Sequence, residues 1–178
     1  MCSSDLVESG RDADGRLDRE GLFSAMVLAT ALGDLGRLDE SRPLFMEAME
    51  GFQALAERGD AEAADYVPRI GLNLGAIDLK LGDIESAEKD LLRARERVLA
   101  GDDVDRDELL SAIEFNLAQV AYGRADLETA ILRAQTALDL RRRYYGADHP
   151  ATVDAVDALG RDRKSTRLNS SHANISYA

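Results

Sequence analysis

Tryptophan is absent from the 178 residues, and aromatic side chains make up only 5%. A core built without large rings must be closed by small and branched aliphatic side chains, which suits thin helices packed at short range. There is one cysteine, Cys2, so neither a disulfide framework nor a cysteine-based zinc site can be assembled. Three prolines leave long stretches free for helix. No apolar run approaches the roughly 18 residues that a spanning helix needs. No basic segment followed by an apolar one opens the chain, so no export signal is read and a cytoplasmic setting is expected. Basic residues are the minority, 22 against 34 acidic, for a net charge of -12. That excludes a general nucleic-acid binder, which shows a basic stripe, and disfavours an anionic membrane surface. The acidity keeps the chain soluble, and it also suits a basic partner segment.

What the sequence does have is a repeated pattern over 70–160. Leu72-Asn73-Leu74-Gly75, Phe115-Asn116-Leu117-Ala118 and Asp157-Ala158-Leu159-Gly160 end on small residues 43 and 42 positions apart. A weaker copy, Val27-Leu28-Ala29, ends 46 positions before Gly75. Twelve residues after the first three small residues come Ser41, Ala87 and Ala130, and seven further on Ala48, Ala94 and Ala137. A period of this length signals repeat architecture.

Taken in order, residues 7–17 are polar and glycine-containing. The run Asp12 to Asp18 brushes against a calcium loop, but Gly10 and Gly21 fall where the obligatory acidic ligands belong, so an exposed loop is expected. Apolar periodicity predicts helices over 18–34, 39–58, 84–100, 106–122 and 126–144, and a last one over 151–161. Between the second and third of these, a short helical piece over 61–66 is followed by a helix over 68–81, with Pro68 restricting Val67 between them. Pro43 is placed in or near a first turn, where a missing amide costs least. Glu85 and Lys89 form a favourable i,i+4 pair, and Asp105 or Asp107 is expected to cap the following helix. Each unit is a helix, a tight turn and a second helix. One such hairpin cannot bury its apolar side alone, so units must stack. Ala29, Gly75, Ala118 and Gly160 let the helices approach, and Ser41, Ala87 and Ala130 receive them.

Both ends have a different character. Asp162-Arg163-Lys164-Ser165-Thr166-Arg167-Leu168-Asn169-Ser170-Ser171-His172 resembles the translation of a short-read sequencing adapter, and Ile175-Ser176-Tyr177-Ala178 resembles its continuation after a barcode. Cys2-Ser3-Ser4-Asp5-Leu6 has the same resemblance. The expected organisation is therefore adapter-derived residues over 1–6, a loop over 7–17, three repeats and the first helix of a fourth over 18–161, and a disordered adapter-derived tail over 162–178. Setting the ends aside takes 34 acidic and 22 basic residues to 32 and 19, so the acidity resides in the middle.

Reactive constellations are missing. His149 stands alone beside Pro150, which reads as a loop bond or helix start. Ser24, Ser41, Ser86 and Ser111 have no base at a readable spacing, and neither a nucleophile elbow nor a phosphate-binding glycine loop occurs. The carboxylates are read as helix caps and solvated faces, and Arg141-Arg142-Arg143 as a complement to a helix C-terminus. No catalytic residue, cofactor or metal is expected.

The pattern resembles the tetratricopeptide repeat. Leu74, Gly75, Ala87, Leu91 and Ala94 fit its core positions, as do Leu117, Ala118, Ala130, Ala134 and Ala137, and, with Ser41 in place of Ala, Leu28, Ala29, Phe45 and Ala48. The long period and the run Ala137 to Pro150 resemble the repeats of kinesin light chain and of multidomain bacterial regulators. The resemblance implies an all-α, right-handed superhelical solenoid of antiparallel helix hairpins. It also implies a concave groove lined by first helices: Phe23, Met26 and Thr30; Arg69, Leu72, Asn73, Ala76, Leu79 and Lys80; and Phe115, Asn116, Gln119 and Tyr122. Asn73 and Asn116 would hold the backbone of an extended peptide. The clamp for an acidic C-terminus needs Lys or Arg beside each Asn, where this chain has Leu72 and Phe115. The expected partner is thus a basic or apolar peptide or domain. The alternatives are a sensor arm of a larger kinase or regulator, of which this is a fragment, and a scaffold that self-associates weakly through its truncated end.

Overall fold

The computed structural model describes residues 17–101, 105–147, 149 and 152. Among these residues six helices follow one another: α1 (Arg19–Asp34), α2 (Leu38–Glu57), α3 (Ala61–Leu81), α4 (Ile84–Ala100), α5 (Arg106–Gly123) and α6 (Leu127–Tyr145). They form three antiparallel hairpins, α1/α2, α3/α4 and α5/α6. The chain is an all-α solenoid, with no strand element among the described residues. The terminal segments, the calcium-loop-like run before Leu17 and most of the seventh predicted helix lie outside the described residues.

Four helices start on an aspartate whose carboxylate accepts from a backbone amide of the first turn: Asp18 from Gly21, Asp60 from Ala63, Asp83 from Ser86 and Asp126 from Thr129. Each satisfies an amide that the helix start leaves open, typically contributing about 1 kcal/mol. The Ser86 amide bond holds the Asp83 carboxyl below its ordinary value, and the Thr129 hydroxyl together with its amide does so for Asp126. Asp105 departs from the expectation. It occupies the N-cap position of α5 without making a side-chain cap, because its carboxylate is drawn to Tyr144 and Arg69 instead.

Two proline placements are corrected. Residues 61–81 form one helix, with Pro68 inside it. A proline there costs about 3 kcal/mol in an isolated helix. Pro68 is buried, and Val67 and Ile70 beside it are 2% and 0% exposed, so packing holds the helix through the break. Pro43 likewise stands in the second turn of α2 rather than its first. The Glu85–Lys89 pair does not form; Glu88, three positions after Glu85, pairs with Arg124 at 2.7 Å.

The core is divided in two. Leu22, Ala25 and Ala29 of α1, Phe45, Ala48 and Phe52 of α2 and Val67, Ile70 and Leu74 of α3 form the first part. Ala87, Leu91 and Ala94 of α4, Ile113 and Leu117 of α5 and Leu140 of α6 form the second. Between the parts, α3 turns one face to each, since Leu72 and Leu79 pack on the second. Along the solenoid the α3 backbone approaches both α1 and α5, whereas the backbones of α2 and α4 stay apart.

Small residues set the helix separations, and here the serine of the first repeat is explained. Ser41 is fully buried and its hydroxyl donates to the Ala29 carbonyl at 2.6 Å. The space above Gly75 is filled by Leu91, whose Cγ would lie 2.5 Å from a Cβ placed there. Gly51, which the repeat pattern did not single out, does the same for Leu22 in the first hairpin.

The three hairpin turns share one geometry with unequal chemistry. Gly36 and Gly82, each two residues before a second helix, have φ of +76° and +82°; the equivalent Ala125 has φ of 60°. A left-handed alanine is strained where glycine is not. Ala125→Gly is expected to stabilise the chain by about 0.5–1 kcal/mol, after allowing for the freer unfolded glycine. Chemical denaturation checks this, and an unchanged or lower midpoint would refute it.

Candidate functional site

The helices that begin each hairpin, α1, α3 and α5, carry all thirteen predicted groove residues, and none is fully buried. They differ in what they already touch. Phe23 joins Phe52 and Tyr66 in an aromatic cluster with ring centroids 4.8–5.2 Å apart, and Met26 packs on the same first core. Leu72 and Leu79 rest on the second core. Thr30 returns its hydroxyl to the Met26 carbonyl at 2.9 Å. Arg69 pairs with Asp105 at 3.5 Å, tying α3 to the start of α5. Asn73 and Ala76 are half-buried and Lys80 is exposed. On α5, Phe115 is 37% exposed and Tyr122 63%. The Arg141 guanidinium lies over the Phe115 ring, 5.5 Å from its centre. Asn116 is partly committed: its amide donates to the Ala112 carbonyl at 3.2 Å and its oxygen accepts from Gln119 at 3.3 Å. One donor and one acceptor site of its amide remain.

Two carboxylates escape the cap-and-surface reading. Asp78, on α3, is fully buried and accepts from Arg42 Nε of α2 at 2.6 Å; its Oδ2 has no partner among the described residues. Glu114, on α5, is 4% exposed and receives Arg95 of α4 at 2.5 Å and Arg133 of α6 at 2.8 Å. Arg42–Asp78 and Arg95–Glu114 each join the second helix of one hairpin to the first helix of the next. Both acids sit among apolar residues of their helices, the one sequence signal that could have found them.

The arginine run is also more than a dipole complement. Arg143 reaches Asp107 at 3.2 Å, Tyr144 donates its hydroxyl to Asp105 at 2.8 Å, and the Tyr145 hydroxyl donates to Glu108. The end of α6 is thereby fastened to the first turn of α5. The bond to Asp105 favours the neutral phenol and raises the Tyr144 hydroxyl from 10.0 to about 12. This contribution is complete below pH 10 and is lost as pH rises through about 12. Phenolate absorbance is expected to show one tyrosine titrating near pH 12 that disappears in Tyr144→Phe. Survival of that titration in the variant would contradict the assignment. His149 stacks on Tyr145, centroids 4.6 Å apart, and its carbonyl accepts from the Thr152 amide at 2.8 Å, as a helix start requires.

These hairpins, with small-residue contacts inside the first two and first helices in succession, match a family pattern. The tetratricopeptide repeat family matches residues 24–62 and 116–151. Two of the three hairpins thus match the tetratricopeptide repeat. Both matched segments run from within a first helix, through the turn and the second helix, towards the next hairpin. The middle hairpin, α3/α4, lies outside them apart from Ala61 and Glu62. No curated protein matches the chain. Tetratricopeptide solenoids are non-catalytic scaffolds for protein–protein interaction. No group of three His, Cys, Asp or Glu among the described residues could hold a metal ion, and no described helix is long and apolar enough to cross a membrane.

Proposed function

We propose that the chain holds a basic or apolar peptide, or a segment of a partner domain, on the face made by α1, α3 and α5. The observation that carries this reading is the unequal packing of the two helix rows. Each first helix lies against the next, while the backbones of α2 and α4 stay apart, which supports reading the first-helix side as the inner side of the curve. Half-exposed Asn73 and Asn116 then project from successive inner helices, where their amides can donate to and accept from an extended backbone. Leu72, Ala76 and Phe115 beside them offer apolar contact, and the net charge of -12 favours a basic occupant.

Fluorescence anisotropy with labelled basic-apolar peptides tests the reading. Asn73→Ala with Asn116→Ala is expected to weaken binding by about tenfold or more, as loss of paired backbone bonds implies. Circular dichroism should be unchanged, because both side chains are partly exposed. Equal affinity for the wild type and the double variant would sink the assignment.

A further inference from the structure

We propose that the cleft between α2 and α4, on the side away from the first-helix face, is a second docking surface, and that its occupant is an amphipathic helix with carboxylates along one edge. Both α2 and α4 rest on α3 with their backbones apart, and the cleft between them has a volume of about 640 Å³. That is room for the side chains of one helix face. Its floor is Val67, Gly71 and Leu74, recurring at helical spacing on α3. At Gly71 the two walls come close, since a Cβ there would meet Ala94 Cβ at 3.2 Å and Met49 Cε at 3.5 Å. The α2 wall presents Met49 and the 41% exposed Met46, unbranched side chains that adapt to an apolar ridge.

The α4 wall decides the chemistry of the occupant. Lys89, Arg93 and Arg97 stand four residues apart in one row, all exposed. Neighbouring arginines are paired, Arg42 with Asp78, Arg95 with Glu114 and Arg124 with Glu88, but these three have no ion-pair partner among the described residues. In a chain of net charge -12, an unpaired cationic row beside an apolar floor is complementary to a partner that brings its own carboxylates. A helix lying along α4 repeats about every 5.4 Å, so acids one turn apart meet successive members of the row. Glu50 on the opposite rim repels a second acidic edge and so fixes which way the occupant lies. Glu50 on the far rim and the methionine wall give a nucleic-acid strand no second row of cations and no base-stacking ring in the same place.

The test uses the full chain and three helical peptides that share a Leu/Met row and carry Glu, Gln or Lys along the adjacent edge, with a single-stranded oligonucleotide as competitor. The Glu-edged peptide is expected to bind at least about tenfold tighter than the Lys-edged one, with the preference fading as salt rises. Lys89→Glu with Arg93→Glu and Arg97→Glu should invert the order, and the corresponding Gln variant should abolish it. The Met46 and Met49 methyl resonances should move, while the Asn73 and Asn116 side-chain amides stay in place. Absence of binding, equal binding of the three peptides, an order that survives charge reversal, unmoved methionine methyls or displacement by the oligonucleotide would each overturn the proposal. Because Asn73 and Asn116 report on the first-helix face, failure here is separable from failure there.

Discussion

Replacing Arg95 and Arg133 together by alanine is expected to lower stability by about 3–5 kcal/mol, the cost of leaving a buried charge without its partners. A loss of that size depresses Tm by on the order of 10 °C in a chain this long. The size of the loss depends on which side of the pair is stranded. The Glu114 side chain is 5% exposed, whereas Arg95 and Arg133 are 39% and 28% exposed. Removing the arginines therefore isolates a carboxylate in the core. Glu114→Gln leaves two arginines that can turn to water, and its loss should be smaller, about 1–3 kcal/mol. Urea denaturation of the three proteins checks the order. If the double arginine variant is no less stable than Glu114→Gln, Glu114 is not held as described.

The second large effect is a change of sign at Gly75. Leu91→Ala removes a side chain that is 0% exposed and should cost about 2–5 kcal/mol. Gly75→Ala alone gains about 1 kcal/mol of helix propensity. Its Cβ, however, would lie 2.5 Å from Leu91 Cγ, the branch point of a buried side chain, so the whole leucine must shift. Overpacking of that kind costs about 1–3 kcal/mol, and the net result is expected to be a loss. In the Leu91→Ala background the same substitution fills vacated space and should stabilise. The double-mutant coupling is then about 1–3 kcal/mol and favourable, and denaturation midpoints measure it. Simple additivity would show that Gly75 and Leu91 do not share the space.

The sequence by itself determined the helices, their pairing and the places where they must be thin. Apolar spacing marked α1, α2, α4, α5 and α6 to within a residue or two, because a helix buried on one side has to repeat its apolar residues every turn. The twelve-residue interval from Ala29 to Ser41 became a buried hydrogen bond, because two antiparallel helices joined by a short turn bring positions equidistant from that turn together. Composition and the absence of reactive clusters told against enzyme chemistry, in keeping with the non-catalytic family to which the matched repeats belong.

Tertiary structure decided what depends on helices that are not consecutive. A local rule breaks residues 61–81 at Pro68, yet packing keeps α3 whole. Local rules send carboxylates to the surface, yet Asp78 and Glu114 are buried because arginines from neighbouring hairpins reach them. Gly51 is constrained by Leu22, and Asp105 is turned from cap to anchor by Tyr144 and Arg69. The row Lys89, Arg93 and Arg97 can be read in the sequence as a solvated face, but the cleft beside it exists only because α2 and α4 are held apart on α3. Periodicity records what each helix turns toward its partner; it does not record how far apart two helices stand when a third lies beneath them.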